Sequence, residues 1–199
     1  MITLTLDTNC LISLDEGRPG AEHVAGLLEL HRSGKAQIGV PAVAASERQQ
    51  SGSHLEHFDA FRARLARLGL ADAQLLPAIG YYGIGFFGVG YYGGDDSMVS
   101  LEREIHGVLH PSIEFGLGDF CDRTNIAMET EHLPHKWLNA KCDVQALWSH
   151  IWQKRHCFVS SDRNYHKATK IPRLLDLGAS AICTPSSAVE YVVARAGPV

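Results

Sequence analysis

The chain has 199 residues, 45% hydrophobic and 20% charged, which suits one domain with a sizeable core and leaves too little for two full ones. Its formal net charge of -4 argues against a protein that coats nucleic acid through a global basic field. It leaves room for a nuclease, because a carboxylate metal site is itself acidic and its metals reverse the local charge.

Five cysteines with no CxxC pair argue against a disulfide framework and fit a reducing compartment. The N-terminus has no basic region followed by a long apolar one, and no apolar run approaches the roughly 18 residues of a membrane span. A cytoplasmic protein with no membrane partner is expected.

Ile2 to Leu6 alternates apolar residues with Thr and stops at Asp7, a strand signal. Asp7, Thr8 and Asn9 are rich in capping chemistry, with Leu11, Ile12 and Leu14 following. Residues 21–33 have helical spacing and end at Gly34, and residues 36–40 read as a second strand. Pro41 stands where a helix carrying Glu47 would open. Residues 55–68 predict an amphipathic helix with Phe58, Phe61 and Leu65 on its apolar stripe. Arg62, Arg64 and Arg67 fall on its polar side and read as a solvated face.

Residues 81–94 repeat an aromatic pair, Gly, an aliphatic and Gly, with a period of five that fits neither helix nor strand. They read as a loop or irregular ribbon, suited to self-association or internal packing, or else to stacking unpaired bases. A short helix is expected at 101–109, a longer one at 139–154, and a buried strand at Cys157 to Val159 that ends at Ser160, Ser161 and Asp162. A helix bearing Lys167 and Lys170 should follow, then a strand at 180–183 and a helix opened by Pro185. Strands alternating with helices predict an α/β protein, a three-layer α/β/α arrangement around a mainly parallel sheet. In such sheets ligands bind beyond the carboxyl ends of the strands, where Asp7 and Asp162 both fall.

Leu6-Asp7-Thr8-Asn9-Cys10-Leu11 resembles the opening Asp-Thr-Asn motif of PIN domains. Pro41 to Glu47 is similar to the second motif, with a Glu on the helix after strand two. Asp143 at the start of a helix, then Phe158 to Tyr165, resembles the closing pair, an Asp on a helix and a strand ending in Ser/Thr-x-Asp-x-x-Phe. The resemblance covers residues 1–50 and 138–190 and implies a single domain over 1–199 with an insertion at about 70–137.

That resemblance implies a metal-dependent nuclease acting on phosphodiester bonds, with RNA as the expected substrate. Asp7, Glu47, Asp143 and Asp162 would be the catalytic Mg²⁺ or Mn²⁺ ligands, Asn9, Ser160 and Asn164 the polar groups that orient them. Arg163, Lys167 and Lys170 are candidates for contact with the phosphate backbone, against the plainer reading of a solvated helix. A homodimer and an antitoxin-like protein partner are compatible with the same reading. The alternative is a non-catalytic module of the same fold that binds a partner through 70–137.

Overall fold

A computed structural model of the chain describes residues 1–46, 58–81, 84, 88–92, 95–128 and 133–196. Its framework starts from β1 (Ile2–Leu6), where Thr5 is as deeply buried as Leu4 and Leu6. Both faces of this strand are covered, as in other parallel sheets. Leu4 and Leu6 pack with α1 (Thr8–Glu16), α2 (Ala21–Arg32) and the C-terminal helix through Leu11, Leu27 and Val192. Thr5 points the other way, and its hydroxyl meets His150 Nδ1 at 2.9 Å.

From β1 the chain moves outward. β2 (Ala36–Pro41) pairs with β1, and β3 (Gln74–Leu76) pairs with β2, after α3 (Phe58–Arg67) packs Phe61 and Leu65 into the same core as α1 and α2. A small separate sheet follows, β4 (Ala78–Ile79) with β5 (Gly90–Tyr91). Helices α4 (Asp96–Leu109), α5 (Leu117–Thr124) and α6 (His135–Trp152) then cover the second face. The chain re-enters the sheet on the other side of β1 as β6 (Cys157–Val159). After α7 (Ile171–Leu174) it adds β7 (Ile182–Cys183) and ends in α8 (Pro185–Ala196), which returns to the first face. The order β3-β2-β1-β6-β7 is parallel throughout. The fold is three-layer α/β/α, as the alternation of elements predicts. Among the described residues no helix is long and apolar enough to cross a membrane.

Several local expectations are corrected. Pro41 ends β2 rather than opening a helix, and a 3-10 turn follows at Ala42–Ala45. Glu47 lies outside the described residues. Arg64 does not belong to a solvated face: it is buried, with Nε 2.9 Å from Asp15 Oδ2, while Arg67 donates to the other oxygen. The helix expected after Asp162 is a run of turns, and α7 begins only at Ile171. Helix α5 was hidden by Gly116 and Gly118; it is closed by Asn125, whose left-handed φ of 55° terminates it.

The region 70–137 does more than decorate the fold, since it supplies the edge strand β3 and helix α4 against α6. Of the aromatic-glycine stretch, Tyr81, Ile84 and Tyr91 pack inward on the second core and Tyr92 is exposed; residues 82–83, 85–87 and 93–94 lie outside the described set.

Arg155, just past α6, ties the three strands on the β1–β3 side together. Its guanidinium donates to Leu4 O at 2.8 Å, Gln37 O at 2.9 Å and Gln74 Oε1 at 2.8 Å. The cation can lie on the sheet because Gly39 has no side chain: a Cβ there would stand 2.8 Å from Arg155 Cζ and 2.9 Å from Leu76 Cδ2. Gly39→Ala should therefore destabilise the protein by about 1–3 kcal/mol through overpacking, read as a lower urea midpoint at unchanged slope.

Candidate metal centre

The chain leaves β1 in one direction and β6 in the other. The gap between their carboxyl ends is thus the topological switch point, where α/β sheets form a crevice. Asp7 follows β1 directly and Ser160 follows β6. The two strands stay in register to their last residues, Leu6 opposite Val159, and Asp7 N donates to Val159 O at 3.0 Å.

Asp7 is both a helix cap and a buried acid. Its φ and ψ of -69° and 157° are extended, and one carboxylate oxygen accepts from Thr8 N at 2.9 Å. The other accepts the Ser160 hydroxyl at 2.7 Å. The same Oγ accepts from Asn9 Nδ2 at 3.2 Å and from Asp162 N at 3.0 Å, so its one proton and both lone pairs are committed. Asn9 Oδ1 in turn accepts from Ser161 N at 3.2 Å. Asn9, Ser160, the Asp7 carboxylate and the main chain of Ser161 and Asp162 thus form one connected hydrogen-bond network.

Asp143 reaches the crevice from α6. It is not at the helix start, as its sequence context suggests, but in the ninth of eighteen positions. No first-turn helix dipole therefore stabilises its charge. Its carboxylate is bonded instead by His110 Nε2 at 3.0 Å, and its main-chain oxygen accepts Tyr165 OH at 2.9 Å. His110 follows the last residue of α4, 33 positions before Asp143, and no periodicity links the two. Tyr165, which donates the bond to the Asp143 main chain, is fully buried.

Asp162 lies in the turn beyond β6, where its Oδ1 accepts from Asn164 N at 2.8 Å. Asn164 also donates to Leu109 O at 3.2 Å and accepts Lys170 Nζ at 2.6 Å. Lys170 donates to Leu109 O as well, at 2.5 Å, and so places a cation on the carboxyl end of α4. Between these walls runs a groove of about 520 Å³, lined by residues 109–112, Asp143, Asp162, Asn164, Lys167 and Lys170. Lys167 and Lys170 thus face the acids, whereas Arg163 is exposed and stands outside the lining.

The electrostatics show a site short of positive charge. Burial pushes the Asp7 carboxyl up to about 7, the Asp143 charge adds to the rise and Asp162 contributes further, against the bonds from Ser160 and Thr8. Burial also raises Asp143, opposed by the His110 hydrogen bond. Among the described residues no three His, Cys, Asp or Glu side chains are gathered closely enough, as they stand, to hold an ion. The donor chemistry nevertheless fits a hard dication: the carboxylates of Asp143 and Asp162 line a groove open to water, with the buried Asp7 carboxylate behind them in their field.

No protein-family model matches the chain, and neither the curated proteins nor the solved structures contain a match.

The raised Asp7 pKa has a consequence for stability. The folded protein holds this proton more tightly than the unfolded chain, so the contribution is complete below the ordinary 3.8 and is lost as pH rises through about 7. Asp7→Asn removes the charge and keeps a good capping residue. In metal-free buffer at pH 8 it should stabilise the protein by about 1 kcal/mol or more, and the gain over the parent should vanish near pH 4. Thermal melts across that range check both.

Proposed function

We propose that this protein is a metal-dependent nuclease that hydrolyses phosphodiester bonds, with RNA as its substrate. The observation that carries the reading is that Asp7, Asp143 and Asp162, from β1, α6 and the turn after β6, lie near enough for Asp143 and Asp162 to raise the Asp7 carboxyl and for Asp162 to raise Asp143, with Asp143 and Asp162 lining one groove. Their order along the chain, with Asp7 and Asp162 after strands and Asp143 on a helix, resembles the PIN-domain pattern, which also supplies the choice of RNA. Asp7, Asp143 and Asp162 would hold Mg²⁺ or Mn²⁺, with Glu47 as a further ligand. Such a cation lowers the pKa of a bound water and offsets the charge that develops on the phosphodiester.

The chain's own residues have separable tasks. Ser160 fixes Asp7 and the main chain of Asp162 through one hydroxyl. Asn164 braces the turn that carries Asp162 against α4. Lys167 and Lys170 line the groove beside the acids and give a phosphodiester a countercharge there. Lys170 is partly engaged by Leu109 and Asn164, which makes it a placed charge; Lys167 is the more exposed of the two.

Asp7→Ala and Asp162→Ala should each slow Mn²⁺-dependent cleavage of a fluorogenic single-stranded RNA by at least about 100-fold, with the fold retained by circular dichroism. Variants that cut as fast as the parent would overturn the assignment. Parent protein that cuts neither RNA nor DNA and binds no Mn²⁺ at millimolar concentration would favour a non-catalytic module instead.

Lys167→Ala separates positioning from chemistry. It should weaken RNA binding evenly across sequences and lower the slope of log affinity against log salt by about one. A titration series in potassium chloride with a catalytically silent Asp7→Asn background reads this directly.

A further inference from the structure

The acidic groove contains a nitrogen donor that the sequence pattern does not assign. His110 Nε2 lies 3.0 Å from Asp143 Oδ2, and the two side chains are 15% and 23% exposed. Ligands about 2.1 Å from a small dication and at right angles to one another are about 3.0 Å apart. As it stands this separation is a hydrogen bond, and it also matches one edge of such a shell, so a dication that displaces the Nε2 proton would find both donors at a suitable spacing.

The backbone on both sides is fixed. Asp143 sits mid-helix in α6 with Tyr165 OH on its carbonyl. His110 ends α4, whose last carbonyl is held by Lys170 and Asn164. The Asp143 carboxylate is the hydrogen-bond partner of the His110 ring. Without an ion Nε2 donates its proton to the carboxylate; a dication bound at Nε2 would take the place of that proton and leave the ring protonated on Nδ1.

We propose that His110 is a nitrogen ligand of the divalent cation, shared with Asp143, and that this donor makes the site prefer Mn²⁺ to Mg²⁺. The inference rests on the metal reading above. An imidazole in a carboxylate set favours first-row transition ions over Mg²⁺, which binds almost wholly through oxygen. The site would then take Mn²⁺ from a mixture in which Mg²⁺ is in excess.

The test uses the full chain with Mn²⁺ alone as probe. Pulsed electron paramagnetic resonance of the loaded parent should show coupling to a directly bound ¹⁴N. The coupling should persist in His166→Gln, which changes a neighbouring imidazole (its Nε2 bonds Ser160 O at 2.8 Å), and disappear in His110→Gln. By calorimetry His110→Gln should lose at least about tenfold in Mn²⁺ affinity with a smaller change for Mg²⁺. Should His110→Gln fail to fold, ¹⁵N-histidine labelling of the His166→Gln protein tests for the same coupling. Mn²⁺ bound without nitrogen coupling, or coupling retained in His110→Gln, overturns the role of His110 and leaves the carboxylate site standing. Absence of Mn²⁺ binding by the parent at millimolar concentration overturns both.

Discussion

A carboxylate that is 3% exposed and within the field of two more cannot keep a full charge near neutral pH without help. The surroundings of Asp7 supply partial help only. The amino end of α1 offers one N–H, and Ser160 offers one hydroxyl. Neither brings a full positive charge, and Lys167 and Lys170 line the groove with Asp143 and Asp162 rather than bonding to Asp7. The arrangement is stable enough to fold and still unfavourable in charge, which is the condition under which a dication gains most by arriving. Because β1 and β6 remain paired up to Val159, the acids cannot relieve their repulsion by moving apart at the strand ends.

What holds the third acid in place is a second polar system, buried on the far side of the sheet. Lys141 is 2% exposed; its ammonium lies 2.6 Å from Glu102 Oε1 and over the rings of Tyr81 and Phe115. Gln145 donates to the same glutamate at 2.6 Å and accepts Ile79 N at 2.9 Å. A buried ion pair is weak evidence for net stability, but separating its partners is costly because it leaves a buried charge unpaired. Here the shift it opposes is a slide of α4 along α6, which would separate His110 from Asp143. The aromatic-glycine stretch enters the same system through Tyr81, whose hydroxyl donates to Glu102.

Much of this was legible in the sequence wherever the signal is local. The alternation of residues 2–6, the apolar run 157–159 and the acids that follow them gave β1, β6, Asp7 and Asp162 within a residue or two. The sequence presents Asp143 as a helix-start acid because α6 is buried nearly all round, so its polar residues blur the periodicity that would show its true beginning at His135. Arg64 looked solvated because its partner Asp15 lies 49 positions away on another helix. His110 carried no signal at all: its meaning comes from α4 ending against α6, a contact that spacing along the chain does not encode. Lys167 and Lys170 line the groove with Asp143 and Asp162 but stand on a different local structure, since turns held by Asn164 and Leu109 replace the expected helix.

The two ends of the sheet follow opposite rules. Towards the amino ends of β1, β2 and β3, Arg155 spends three of its donors on Leu4, Gln37 and Gln74, and Gly39 clears the space for it. There a buried cation meets carbonyl and amide oxygens and tightens the strands. Beyond the carboxyl ends, acids face acids. A parallel sheet has no hairpins to close either end, so each end must be closed by side chains or remain an opening. Closing one firmly allows the other to carry unfavourable charge without the strands separating. On this argument the cost of the acidic site is borne by the Arg155 end, and a loosened Gly39 position would weaken the site from a distance before it unfolded the protein.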